Sequence, residues 1–427
     1  MCPHTGNPSN AGPAVPAACE DVNPRREDGA ITNRHASADT AAPLAHRSAP
    51  GLTRREALSG AVAVAGAAFA GTAARAAGPP PAPSPPDAVP LVARDGKYAV
   101  VPLERESLRV TAVQSRIRAV DARNPAKQIR ENLDHMIELI DDANGFPGPQ
   151  DLVCFHEQPI MGWNPWTREE ALRVAISVPG EETEALGKRA RQYGCYISFA
   201  TFAHDQAWPG HLLSLGVLIG PDGHVVASHW KAHNGRGFRP NFDLYTTSIY
   251  DVLDRYTEMY GQDAVLPIAR TGIGNISLTG PPFEPDIYRA LALKGMEISL
   301  RTASGGFAPE DPLTSSMFNR LYTVIPNNAI SPGNPGFPEA SGAGGTAIYA
   351  PGGRLLAKAQ TENEEFVTAS IPIGEFRKTH VLPEIPMAML LPVYSQYVPR
   401  YSPGLQDHYI PVDFADASRY YASKRNW

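Results

Sequence analysis

The segment Leu108-Arg109-Val110-Thr111-Ala112-Val113-Gln114 alternates apolar and polar side chains at the period of a strand. Asn124-Pro125 then marks a helix start, with Asn as the cap and Pro in the first turn, and Ile129, Leu133, Ile137 and Ile140 recur on one helical face. Gly and Pro between 145 and 149 break that pattern, and Leu152-Val153-Cys154-Phe155 follows as a short apolar strand running out at Glu157. The spacing predicts a second helix over 182–193, closed by Gly194, and a strand over 196–202.

Beyond this point the pattern changes and then repeats. Apolar runs at 212–219 and 225–230 flank Gly220-Pro221-Asp222-Gly223, a turn sequence that folds them into a hairpin. A strand over 276–278, a helix over 286–294, a strand over 297–300 and a helix over 312–325 come next. A second hairpin pairs 346–349 with 354–357 around Ala350-Pro351-Gly352-Gly353, and a strand over 366–373 ends the series. Two β-α-β runs, each leading into a hairpin, predict an α/β protein of two packed mixed sheets with helices on their outer faces. From Leu382 the chain is rich in Pro and Tyr and reads as an arm over the body or a partner subunit.

Composition narrows the class. With 43% apolar and 19% charged residues over 427 positions, the chain can bury a large core, which excludes disorder over most of its length. The formal charge of −6, without a Lys/Arg-rich run, argues against nucleic acid as a partner. Proline is abundant, at 42 residues, but its placement is uneven: seven lie between Gly78 and Pro90, where they make a stiff extended spacer.

Ahead of that spacer, Thr53-Arg54-Arg55-Glu56-Ala57-Leu58 precedes a mild Ala/Gly/Val-rich run, and Ala74-Arg75-Ala76 offers small residues for a cut before Ala77. This order resembles a twin-arginine export signal, which implies passage through the twin-arginine translocation machinery to the periplasm or the exterior. The expected division is therefore a leader at 1–76, a Pro-rich linker and lead-in at 77–106, a folded domain at 107–381 and a C-terminal arm at 382–427. A mature chain would keep Cys154 and Cys195 of the four cysteines, and an oxidising compartment allows a bridge between them without requiring one. The absence of CxxC or clustered Cys/His spacing gives no reason to expect a structural metal.

Three stretches carry candidate chemistry. Glu157 stands at a strand tip, where α/β proteins place reactive groups. Lys231 closes the first hairpin in Ser228-His229-Trp230-Lys231-Ala232-His233. The third stretch is Asn275-Ile276-Ser277-Leu278-Thr279-Gly280-Pro281-Pro282, running into Tyr288-Arg289-Ala290-Leu291-Ala292-Leu293-Lys294-Gly295. His229, His233 and Glu157 could share a metal only if the hairpin strand persists, and no helical His spacing supports that.

The order Glu157 with Gly162-Trp163, then Lys231 with His233, then a strand-turn-helix elbow, then Gly344-Gly345-Thr346 before Pro351-Gly352-Gly353, resembles the nitrilase superfamily of carbon-nitrogen hydrolases. The resemblance covers about Leu108 to Lys378. It implies a four-layer α-β-β-α sandwich, an oligomer, and hydrolysis of a small amide, carbamoyl compound or nitrile without metal or organic cofactor. By motif, Glu157 takes the place of the general base and Lys231 that of the oxyanion partner, with Trp163 and His233 as substrate-side residues.

The family nucleophile is a cysteine, and here the pattern departs. Counting forward from the strand puts that position at Leu278, and counting back from Arg289 puts it at Thr279. Neither is Cys. A threonine hydroxyl is a far weaker nucleophile than a thiolate, so the expectation is hydrolysis weakened, altered or lost, with a non-catalytic ligand-binding or assembly module as the alternative.

Overall fold

The computed structural model describes residues 91–146, 148–237, 240–334 and 343–427. The expected leader at 1–76 and the linker as far as Pro90 lie outside the described residues.

Strand β1 (Leu108–Gln114) is followed by helix α1 (Pro125–Gly145), strand β2 (Leu152–Glu157), helices α2 (Arg168–Val174) and α3 (Glu181–Tyr193), and strand β3 (Tyr196–Ala203). Pro125 occupies the first turn of α1 as expected, but Asn124 makes no side-chain capping bond. Helix α3 ends at Gly194 in the left-handed conformation, where the missing Cβ removes the steric cost. Strands β4 (Leu213–Ile219) and β5 (Val225–Trp230) form the first hairpin around the Gly-Pro-Asp-Gly turn.

Helix α4 (Leu253–Tyr260) and the short strand β6 (Ala269–Thr271) lead into the second half. That half runs through β7 (Gly274–Ser277), α5 (Pro285–Leu293), β8 (Ile298–Leu300), α6 (Glu310–Asn319), β9 (Tyr322–Ile325), and the hairpin of β10 (Ala347–Ala350) and β11 (Arg354–Lys358). Strand β12 (Glu365–Ile371) precedes α7 (Ile373–Thr379), α8 (Met387–Tyr394) and α9 (Phe414–Ala422). One expected element divides in two: the helix expected over 312–325 stops at Asn319, because Arg320 turns left-handed at φ 54°, and Tyr322–Ile325 is the third parallel strand of its sheet. The β-branched Thr323-Val324-Ile325 suits a pleated surface better than a helix.

The two sheets share one plan. The first orders its strands β12-β1-β2-β3-β4-β5 and the second β11-β10-β9-β8-β7-β6. In each, three strands run parallel (β1, β2, β3 and β7, β8, β9), and the antiparallel hairpin strands extend the sheet from the last of them. Leu108, Val110, Ala112, Leu152 and Cys154 of the first sheet pack against Ile276, Ile298, Leu300, Val324 and Ile348 of the second, so the sheets meet face to face. On the far side of the first sheet, Val153, Phe155 and Phe199 pack under α1 and α3 through Leu133, Met136, Ile140 and Leu186. Tyr288, Leu291 and Ala292 of α5 pack with Met296 and Leu321 in a separate cluster. The result is the four-layer α-β-β-α sandwich.

The lead-in before β1 is strapped to the second sheet. Glu104 N–H donates to Gly272 O at 2.8 Å, Asn275 Nδ2 to Ala99 O at 2.8 Å, and Tyr98 Oη to Glu297 at 2.9 Å. The C-terminal arm closes over the other half: Ala417 and Tyr421 of α9 are buried within the core of the first sheet.

Candidate functional site

Glu157 is aimed by an irregularity at the end of β2. The register of β2 against β3 shifts between Cys154 and Glu157, and Gln158 behind it turns left-handed at φ 62°. Gln158 is held there by its N–H to Ala200 O at 2.9 Å and by Phe202 N–H to its own Oε1 at 2.9 Å. His156 braces the base of the turn: it is fully buried, with Nε2 2.8 Å from Ser115 Oγ and Nδ1 2.7 Å from Glu157 O. Burial lowers its pKa to about 4, so the ring is neutral near pH 7.

Lys231 follows β5 directly. Its N–H donates to Ser214 O at 2.9 Å and its carbonyl accepts Ile249 N–H at 3.1 Å. These bonds bring Nζ to 3.8 Å from Glu157 Oε1, with both side chains largely withdrawn from solvent. The second carboxylate oxygen accepts Ser304 Oγ–H at 2.5 Å, and Glu157 N–H donates to Ala303 O at 3.2 Å. A fixed carboxylate and a fixed ammonium thus share one cleft.

The elbow after β7 decides what faces them. Leu278 and Gly280 line the cleft with Glu157, Lys231, Gly216 and Thr302. Thr279 does not: it is buried, and its Oγ1 accepts the N–H of Ala232 at 3.3 Å. Leu278 N–H is itself taken, donating to His229 Nδ1 at 3.2 Å. Burial lowers the pKa of His229 to about 4, which keeps the ring neutral and Nδ1 free to accept. The remaining free space is about 10 Å³, room for roughly one water molecule.

The two expected substrate-side residues lie elsewhere. Trp163 is buried edge-on against Phe202, ring centroids 5.3 Å apart, with its backbone N–H on Asn334 Oδ1 at 2.7 Å. It packs in the core between the first sheet and its helices and takes no part in lining the cleft. His233 turns to Glu284, Nδ1 to Oε1 at 2.6 Å, beside a different and larger cavity. His229, His233 and Glu157 therefore face three different partners, and among the described residues no group of His, Cys, Asp and Glu is arranged to hold a metal ion.

Both described cysteines are buried free thiols, and burial pushes each pKa up to about 12. Cys154 faces the inter-sheet core and Cys195 the helix-covered side, so the first sheet separates them. Ser304 and Gly216 also belong to the site: sequence reasoning reads Ser304, like Ser277 and Thr279, as a small residue filling a turn, and it does not single out Gly216. Ser304 belongs to an irregular loop with no pattern to read, and Gly216 sits inside an ordinary strand.

Residues 109–381 match the sequence model of the carbon-nitrogen hydrolase family, and the chain belongs to that family. Among solved structures, it is similar to an amidase from Nesterenkonia sp. AN1, in a double mutant with acrylamide bound. The identity is 16% and the TM-score 0.46, covering 69% of this chain and 100% of that one. A second form of that amidase, described as from the nitrilase superfamily, gives 16% identity and a TM-score of 0.47 over 68% of this chain and 99% of that one. A third, with butyramide bound, gives 16% and 0.46 over 67% and 97%.

Proposed function

We propose that this is an exported member of the carbon-nitrogen hydrolase family in which amide, carbamoyl or nitrile hydrolysis is lost, while the Glu157–Lys231 pair and its framework are kept. The carrying observation is that Leu278, not Thr279, shares the cleft with the carboxylate and the ammonium. A hydrocarbon side chain has no lone pair to attack a carbonyl or nitrile carbon. Glu157 in the general-base position has no proton to take from it, and Lys231 has no tetrahedral oxyanion to stabilise. Thr279 has the hydroxyl, but its oxygen accepts a backbone N–H and lies outside the lining of the cleft. The cleft's free volume is far below the roughly 300 Å³ at which ligand pockets begin.

Export rests on Arg54-Arg55 and the small residues before Ala77, and N-terminal sequencing of protein recovered from the periplasm or medium tests it: a start near Ala77 is expected. Self-association is favoured by α8, where Met389, Leu391 and Val393 are each more than half exposed, together with Phe318 of α6. Light scattering of the intact chain is expected to give a mass above one subunit, and Met389→Lys with Leu391→Lys to lower it.

The activity test is a panel of short amides, carbamoyl compounds and nitriles followed by product detection. No turnover above that of Glu157→Gln is expected. Turnover abolished by Glu157→Gln and by Lys231→Ala would overturn the reading.

A further inference from the structure

A second cavity, of about 300 Å³, opens at the end of the first hairpin, beside Ala232 and His233. Its walls come from four separate parts of the chain. Ile249 opens the short 3-10 turn that leads into α4 and Leu253 begins α4 itself, Val265 and Leu266 precede β6, Ile287 lies in the first turn of α5, and Ala232 with His233 form the floor. These walls are fixed. Ile249 N–H and Tyr250 N–H donate to Lys231 O and Ala232 O, both at 3.1 Å. Tyr250 is also clamped by the C-terminal arm, its hydroxyl donating to Tyr401 O at 2.9 Å and its carbonyl accepting Gly404 N–H at 3.0 Å. A cavity built this way does not have to be ordered by its ligand.

The lining is hydrocarbon apart from one polar pair. His233 Nδ1 lies 2.6 Å from Glu284 Oε1, and the Tyr250 ring meets the imidazole edge-on at 5.2 Å. Against a carboxylate, which can only accept, Nδ1 must donate. The other oxygen of Glu284 is left as an acceptor. Both side chains keep about a quarter of their surface exposed, so the pair is presented rather than sealed. The cavity therefore combines a rigid apolar body with a carboxylate acceptor at its edge.

We propose that this cavity binds a small organic ammonium ion, a primary amine with a hydrocarbon or aryl body, its N–H groups donating to the carboxylate of Glu284. At about 300 Å³ the space stands at the lower end of the roughly 300–1,000 Å³ range of small-molecule pockets, the scale of hexylamine or phenethylamine. Binding is non-covalent and does not depend on whether the neighbouring cleft hydrolyses anything.

The test is calorimetric titration of the intact chain with hexylamine and phenethylamine, set against hexanol and hexanoate. The amines are expected to bind at least about tenfold more tightly than either oxygen analogue. Glu284→Gln should weaken amine binding at least about tenfold while leaving the weaker hexanol binding unchanged. Ile287→Trp, or Leu253→Trp from the other wall should one of them fail to fold, should abolish binding of all four. Equal or tighter binding of hexanoate, amine binding indifferent to Glu284→Gln or to the filled cavity, or no binding by any of the four would each overturn the proposal. A negative result here leaves the hydrolysis panel untouched, and a positive panel leaves this titration untouched.

Discussion

Leu278 lies so close against Gly216 of the neighbouring sheet that a Cβ on the glycine would stand 2.7 Å from Leu278 Cβ and 2.6 Å from its carbonyl oxygen. The side chain that fills the cleft is thus seated on a strand that has given up its own. Gly216→Ala is expected to destabilise the protein by about 1–3 kcal/mol, the usual cost of overpacking. Because both clashes, with the backbone carbonyl and with Cβ, survive truncation to alanine, adding Leu278→Ala should not restore stability. Denaturant midpoints of the two variants check this, and full rescue by Leu278→Ala would contradict it by placing the contact beyond Cβ.

His229 ties the hairpin to the elbow through Leu278 N–H, and it does so as a neutral ring. Its folded pKa, about 4, lies below the ordinary value of 6.5. The unfolded chain therefore binds the extra proton first as the pH falls. The stabilisation is complete above about pH 6.5 and is lost as the pH drops through about 4. In His229→Asn the amide oxygen can still accept the N–H but the group no longer titrates. Stability measured between those limits should fall less steeply in the variant, by up to ~1.4 kcal/mol per pH unit. An unchanged slope would contradict a buried neutral His229.

How the C-terminal arm is fastened can be measured at Arg236. This buried guanidinium pairs with buried Asp251 and lies under the Tyr421 ring of α9, 4.0 Å from its centroid. Arg236→Met would strand the Asp251 carboxylate, at a cost of about 3–5 kcal/mol. Tyr421→Phe keeps the ring under the guanidinium and loses only the hydroxyl, which accepts from Gln406 Nε2 at 2.8 Å and from Arg236, and should cost less, about 1–3 kcal/mol. Thermal unfolding of the pair should keep that order, with protease cutting ahead of α9 appearing first in Arg236→Met.

Much of the fold was legible because its periods are clean. The alternation at 108–114, the turn at 220–223 and the apolar runs around it predicted β1 and the first hairpin nearly to the residue. Strand β9 was not, since the four residues Tyr322-Thr323-Val324-Ile325 directly after a helix are too few to show a period of their own. At the site, Glu157 and Lys231 were legible as strand ends, and their approach to 3.8 Å depends on sheet pairings far apart in sequence. The choice between Leu278 and Thr279 was not legible. It turns on which way an elbow faces after β7 ends, and that is set by Ala232, His229 and Gly216 from the other sheet.

That choice can be measured with a thiol placed at each position in turn. Leu278→Cys and Thr279→Cys, treated with iodoacetamide and followed by intact mass, report which side chain shares the cleft with Lys231. The prediction is one adduct on Leu278→Cys at neutral pH, slowed when Lys231→Ala removes the ammonium that favours the thiolate, with Thr279→Cys reacting no faster than the parent. Rapid labelling of Thr279→Cys with an inert Leu278→Cys would contradict it, and would return the nucleophile position to a residue bearing a hydroxyl.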